Sequence, residues 1–203
     1  MSNDDEPKSL RDPEVLRQRL AMINEEHVAP LTRFVEEIRR QHPGAIVPYF
    51  DPLDGGVGAR VLFLLETPGR KASHFVSRNN PDETAKNMFE LQQAAGISRH
   101  DTIFWNVVAW YLGDGKRRRV SRADDFDQNR VYLEQVLSLL GRVQTVVLLG
   151  NRAQKAWDRA DLGRTDLVVH RVPHTSPMSL NTNPTRRPRL LKLFREIAGT
   201  LGA

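Results

Sequence analysis

The segment VLFLLETPG, residues 61–69, decides the fold class of this 203-residue chain. Five consecutive apolar residues lead through a single glutamate into a Thr-Pro-Gly turn, a pattern typical of a short strand that is buried on both faces. Strands of this kind belong to parallel sheets, in which helices cover both sides. Residues 61–65 are therefore predicted to form the first central strand, with helices and strands alternating after it.

Two helices are predicted before this strand. Asp12 can cap a helix that begins with proline, because the first helical turn does not use the N–H group that proline lacks. Pro30 should kink or restart this helix, and the sequence His-Pro-Gly at residues 42–44 should end the segment. The first residues are acidic and polar, so we expect residues 1–11 to be a flexible N-terminus and residues 12–203 to form a single domain.

The alternation continues to the end of the chain. A helix is predicted from about Asn80 to Gly96, followed by elements at residues 102–108 (strand), 131–140 (helix), 145–149 (strand), 151–159 (helix), 167–172 (strand) and 190–201 (helix). Such alternation implies an α/β fold, a three-layer αβα sandwich with a central, mostly parallel four-stranded sheet. Ligands of such sheets bind beyond the carboxyl ends of the strands. Polar segments follow the strands at residues 66–69, 106, 150–151 and 174–179, and we expect them to meet at one rim.

Composition narrows the classes of function. Lys and Arg total 30 against 25 Asp and Glu, and this excess favours a polyanionic partner such as DNA, although an ordinary basic surface gives the same total. Basic residues cluster at 116–119 and again at 186–189. The absence of cysteine excludes disulfides, thiolate metal sites and cysteine nucleophiles. No segment approaches the roughly 20 apolar residues of a membrane span. We expect a monomer without cofactor or membrane contact, in the cytoplasm and associated with the nucleoid.

Four short motifs resemble those of a known family, in the same order along the chain. HTSPMS at residues 174–179 is similar to the His-Pro-Ser-Pro-Leu-Ser loop of uracil-DNA glycosylases, with methionine in place of the leucine that wedges into the base stack. ETPGR at 66–70 resembles the Gly-Glu-Ala-Pro-Gly loop of bacterial members, FVSR at 75–78 their Phe-Val-Gly-Arg, and NVV at 106–108 their Asn-Val-Val. The set resembles the uracil-DNA glycosylase superfamily, as a bacterial member that lacks the iron-sulfur cysteines.

The resemblance implies a monofunctional DNA glycosylase of base excision repair, which flips uracil or a related deaminated base out of DNA and hydrolyses its N-glycosidic bond. The candidate site residues form three sets, which the resemblance supplies except for Arg117 and Arg118, which come from the basic cluster at residues 116–119. The catalytic candidates are Glu66, Asn106 and His174. The base-binding candidates are Thr67, Phe75 and Asn106. The DNA-binding candidates are Ser73, Arg78, Ser176, Met178, Ser179, Arg117 and Arg118.

The chemistry explains these residue types. Cleavage leaves negative charge on the departing base, so a hydrogen-bond donor such as His174 near a base carbonyl lowers the barrier. Asn106 offers both a donor and an acceptor to the Watson-Crick edge of a pyrimidine. Thr67 stands where the best-known branch of the family has an aspartate that activates water. Glu66, the only carboxylate of the motif loop, is therefore the candidate general base.

Structural alternatives exist for each residue. His174 and Glu66 would also serve to order their loops, Asn106 to cap a strand end, Phe75 to fill the core, and Met178 to pack a turn. A DNA-binding module that recognises damaged or single-stranded DNA with weak or no catalysis is the alternative function, and the threonine at position 67 supports it. A hydrolase of free nucleotides is a third possibility, but the sequence has neither the Gly-x-Gly-x-x-Gly pattern nor a P-loop.

Overall fold

The computed structural model describes residues 4–72, 74–113 and 119–202. The helices within these ranges are α1 Pro13–Ala21, α2 Ala29–Gln41, α3 Glu83–Ala95, α4 Ala123–Leu139, α5 Asn151–Ala160, α6 Pro177–Asn181 and α7 Arg186–Leu201. The strands are β1 Tyr49–Phe50, β2 Val61–Leu65, β3 Phe75–Val76, β4 Thr102–Asn106, β5 Thr145–Leu149 and β6 Val168–Val172. None of the helices in these ranges is long and apolar enough to cross a membrane.

Four of the strands form one parallel sheet in the order β4-β2-β5-β6. Strand β2 lies at the centre, and its residues 61–64 are fully buried, which is the reason for the unbroken apolar run in the sequence. The three-layer αβα prediction is confirmed. A second, two-stranded parallel pairing of β1 with β3 was not predicted, because two-residue strands leave no periodic signal.

Helices cover both faces of the sheet. On one face the ring of Phe63 stacks on Phe104 at 5.1 Å and contacts Phe194 of α7 at 5.3 Å. On the other face Trp105 stacks on Phe50 at 4.1 Å, and α2 and α4 pack against each other. Neighbouring strand residues point to opposite faces, so β4 serves both layers of the core.

Several element boundaries differ from the prediction, most of all the start of α4, which lies at Ala123 rather than Val131. Strand β4 ends at Asn106 rather than Val108. Asp82, rather than Asn80, caps α3 by accepting a hydrogen bond from the N–H of Ala85 at 3.0 Å. Helix α7 begins four residues earlier than predicted, at Arg186. Pro188 falls in the first turn of α7. Backbone N–H groups of a first turn have no acceptor within the helix, so the helix can include a proline there without losing a hydrogen bond.

A cluster of buried charges connects the start of the chain to the domain. Asp51 accepts hydrogen bonds from Arg19 and Arg99, each at 2.6 Å, and Arg99 Nε donates to Asp54 at 2.7 Å. Asp5 pairs with Arg99 and with Arg78. Burial raises the pKa of Asp54 to about 7, with Arg99 opposing the rise and Asp51 adding to it. The division into residues 1–11 and 12–203 stays a prediction.

Candidate active site

A cavity of about 370 Å³ lies beyond the carboxyl ends of β2 and β4, and we call it the strand-end cavity. This volume is in the range of small-molecule sites. Apolar residues such as Leu65, Met88 and Phe104 line it together with polar groups that include Thr67, Asn106 and His174. Charged residues also line it: Arg70, Lys71, Arg78 and Asp82. Polar segments that follow different strands therefore meet at one rim, as the sequence predicts.

Asn106 ends β4 and is only 2% exposed. Its side-chain Nδ2 group is buried and has no hydrogen-bond partner among the described residues. An unpaired buried donor destabilises a folded protein by about 1–3 kcal/mol, so such a group usually has a purpose. Because Asn106 lines the strand-end cavity, a ligand there can supply the missing acceptor.

His174 follows β6 through Pro173, and its ring is fixed in one tautomer by its own loop. The backbone N–H of Ser176 donates to His174 Nδ1 at 3.1 Å. A ring nitrogen that accepts a hydrogen bond carries no proton, so the neutral imidazole carries its proton on Nε2. His174 lines the strand-end cavity, and its Nε2–H group is the donor that the chemistry requires.

The backbone of Gly150 makes room for His174. Gly150 precedes α5 with φ of +88° and ψ of 159°, a conformation that residues with a side chain rarely adopt. A Cβ atom at this position would lie 3.0 Å from the Cβ of His174. The glycine at the end of β5 therefore serves both the backbone turn and the close approach of the histidine.

A second, more polar depression lies next to the strand-end cavity, and we call it the polar groove. Its volume is about 670 Å³. His174 and Thr84 line both spaces, so the two are adjacent. Three arginines line the groove from three elements: Arg152, Arg171 and Arg186. Arg171 is paired with Asp158 at 2.6 Å, whereas no described carboxylate pairs with Arg152 or Arg186. A cavity with several hydrogen-bonding groups beside a groove with arginines suits a ligand that has a polar ring and an anionic backbone.

Glu66 and Thr67 are neighbours in sequence but line different spaces. Thr67 is buried at the strand-end cavity, and its hydroxyl lies 3.4 Å from the carbonyl oxygen of Pro68. Glu66 lines the polar groove, where its Oε1 atom accepts hydrogen bonds from Ser121. The carboxylate therefore lies on the groove side of His174.

The segment after His174 forms the short helix α6, which the sequence analysis treated as a loop. Ser176 caps it, with Pro177 at the first helical position, a Ser-Pro pair that is itself a helix-start signal. Arg186 Nη1 donates to the carbonyl oxygen of Ser179 at 2.7 Å. Met178 is 84% exposed, the highest value among the large apolar side chains that the structure describes. Ser176 and Ser179 line the polar groove.

Besides Thr67 and Asn106, two more of the predicted site residues are buried, and both contact other parts of the protein. Phe75 has no exposed surface and packs 6.4 Å from the ring of Tyr49, and it is not among the described residues that line either space. Arg78 is buried and pairs with Asp5, although it also lines the strand-end cavity. Base stacking by Phe75 stays a prediction, and the ion pair of Arg78 counts against its phosphate contact. Three other DNA-binding candidates lie outside the described residues: Ser73, Arg117 and Arg118.

The structure adds residues that the sequence analysis missed. Ser121 binds Glu66 from 55 positions away along the chain. Asn87 of α3 donates to the carbonyl oxygen of Thr175 at 2.8 Å and accepts from Arg187 at 3.1 Å. Arg187 is exposed, but its guanidinium is bonded to Asn87 and to Glu90 of α3. Such long-range hydrogen bonds leave no local pattern by which a single sequence could reveal them.

Comparison with known proteins gives one finding. The family model described as the Uracil DNA glycosylase superfamily matches residues 52–198, which is more than half of the chain. The matched range includes β2, both spaces and the His174 segment. No curated protein matches the chain.

Proposed function

This chain belongs to the uracil DNA glycosylase superfamily, and from that premise we propose that it is a monofunctional DNA glycosylase that hydrolyses the N-glycosidic bond of uracil or a related deaminated base. The observation that carries the proposal is the pair of polar groups at the strand-end cavity. Asn106 brings a buried N–H without a partner in the described structure, and His174 brings an Nε2–H fixed by Ser176. Both are donors for the carbonyl oxygens of a flipped base.

The base leaves with the electron pair of the broken bond, so negative charge develops on its carbonyl oxygens. A neutral His174 ring donates from Nε2 to one of these oxygens and stabilises this charge without transferring its proton. The donor is in place before the reaction, because the Ser176 contact and the backbone of Gly150 hold the ring. Asn106 binds the Watson-Crick edge and orients the base.

The sugar lies at the boundary between the two spaces in this proposal. With the base in the strand-end cavity and the phosphates in the polar groove, the glycosidic carbon is next to His174, which lines both. Glu66 on the groove side takes a proton from water as the water oxygen bonds to that carbon. The proton that Glu66 has taken then passes through solvent water to the departing base anion, which restores the Glu66 carboxylate. No lysine lies in the matched motifs, so strand cleavage through a Schiff base is not expected.

The surface around the groove would bind the DNA strand. Ser176 and Ser179 are candidates for the flanking phosphates, with Arg152 close by in the groove. The exposed Met178 would fill the gap that the flipped nucleotide leaves in the duplex. We also propose that the protein acts as a monomer in the cytoplasm, on the DNA of the nucleoid.

A second candidate function is a DNA-binding module with weak or no catalysis. Thr67 in place of the family aspartate favours it, because a neutral hydroxyl is a poor base. In this case the same two spaces would recognise a damaged or unpaired base without cleaving its bond. The groove arginines serve both functions equally and do not separate them.

One assay separates the two. A labelled oligonucleotide with a single uracil is incubated with the protein and then heated in alkali, which breaks the strand at an abasic site. The proposal predicts cleavage at the uracil position, and parallel oligonucleotides with hypoxanthine, xanthine or thymine rank the bases. Binding without cleavage of any of these substrates would support the module and contradict the enzyme.

A further inference from the structure

Ser121 is a buried side chain directly before α4, outside all four motifs that resemble the family. Its hydroxyl donates to Glu66 Oε1 at 2.6 Å, and its backbone N–H donates to the same oxygen at 3.2 Å. Two donors on one carboxylate oxygen fix the orientation of the group and favour its ionised form. Ser121 itself is not among the described residues that line the strand-end cavity or the polar groove.

The backbone around Ser121 is held on both sides. Arg152 of α5 donates to the Ser121 carbonyl oxygen at 3.0 Å. The N–H of Arg122 donates to Asp125 at 2.7 Å, and Arg119 forms two hydrogen bonds to the same carboxylate, each at 2.6 Å. Ser121 therefore presents its donors from a fixed position, and Glu66 must adapt to them.

We propose that Ser121 is a positioning residue for Glu66, which holds the carboxylate ionised and pointed at the water site of the glycosidase reaction. The inference rests on the proposed function. Ser121 does not touch the substrate in this account. It acts through Glu66, so its loss should lower the rate of the chemical step and leave the affinity for DNA unchanged.

The pH dependence carries the signature of this role. A carboxylate that loses a donor is protonated more readily, so the acidic limb of the pH-rate profile should move to higher pH in Ser121→Ala. Among the described residues, the other charged or titratable side chains that line the groove are Arg152, Arg171, Arg186 and His174. The same substitution made in Glu66→Gln shows which group causes a shift of the acidic limb. A shift caused by His174 persists in that variant, whereas a shift caused by Glu66 disappears.

The experiment measures single-turnover uracil excision from pH 5 to 9, with DNA affinity and thermal unfolding of each variant. Ser121→Ala should lose about tenfold in rate with affinity within about twofold of the wild type. Ser121→Thr keeps the hydroxyl and should recover most of the rate. Ser121→Cys keeps a side chain of similar size with a weaker donor and should also lose about tenfold in rate, so it provides the test if Ser121→Ala does not fold. Ser138→Ala is the matched control, because that exposed serine of α4 bonds only within its helix in the described contacts.

The outcomes are distinct. The positioning role would be overturned if Ser121→Ala and Ser121→Cys both kept the rate and the acidic limb of the wild type. It would also be overturned if Ser121→Ala lowered the rate by the same factor in the Glu66→Gln background as in the wild type. If the wild type excises no base at all, the proposed function fails. The Ser121 inference is then decided by carbon-13 NMR of labelled glutamate, in which the Glu66 carboxyl should titrate at higher pH in Ser121→Ala than in the wild type. An unchanged titration would refute it.

Discussion

Gly150→Ala should damage the candidate site through backbone strain and through a close contact with His174. The glycine has φ of +88° and ψ of 159°, and forcing an L side chain into that region costs on the order of 1–3 kcal/mol of folding stability. The new Cβ would also lie 3.0 Å from the Cβ of His174, and one of the two must move by a few tenths of an ångström. A misplacement of 1 Å can lower an enzymatic rate by about 10²-fold, so a smaller shift should cost about tenfold.

The assay for this variant is single-turnover uracil excision at a temperature where it is fully folded, with its urea unfolding curve measured in parallel. Gly163→Ala is the matched control, because Gly163 also has a positive φ, of +61°, but has no atom of the described structure within 4 Å of the added Cβ. We expect both variants to lose stability and only Gly150→Ala to lose rate. Equal rates in the two variants would refute the claim that Gly150 positions His174.

Three further predictions test separate parts of the account. Glu66→Gln should keep DNA affinity and lose most single-turnover activity, whereas Thr67→Val should stay within about tenfold of the parent, a barrier change of about 1.4 kcal/mol; a fully active Glu66→Gln would assign catalysis to His174 and Asn106 alone. Met178→Ala should slow excision from duplex DNA more than from single strands, because a wedge acts only where a stack must be held open, and equal effects on both would exclude the wedge. Asp54→Asn should become more stable relative to the wild type between about pH 4 and pH 8. The raised pKa of Asp54, about 7 against 3.8 in an unperturbed carboxyl, means that the folded wild type binds a proton in that window and loses the associated stability as the pH rises; a constant difference in urea unfolding at pH 5 and pH 8 would count against the burial.

The sequence was sufficient for the sheet and its rim because these depend on local patterns. The apolar run at residues 61–65 has no polar face and is short and bounded by a turn, which favours a strand covered on both faces, and β2 is that strand. Helix ends at Asp12 and Gly96 follow from capping chemistry that a few residues determine. Polar residues after strands met as expected, because parallel strands end at the same edge.

The rest depends on contacts between distant segments. Nothing near Arg78 in the sequence indicates that Asp5 neutralises it, and nothing near Glu66 points to Ser121. The buried group of Arg19, Asp51 and Arg99 has the composition of an exposed surface and becomes buried only because the charges pair. Charged residues in a sequence are usually assigned to the surface, so a single sequence cannot reveal such a cluster.

The central claim is that His174 stabilises charge on a departing base, and one comparison tests it most directly. Single-turnover uracil excision and equilibrium binding to uracil-containing DNA are measured for the wild type, for His174→Ala and for His100→Ala, which removes an exposed histidine away from the site. The account predicts that His174→Ala loses at least about 10²-fold in rate and less than about threefold in affinity, since the donor acts mainly as charge develops, while His100→Ala matches the wild type. A parallel loss of rate and affinity in His174→Ala, or an undiminished rate, would contradict it.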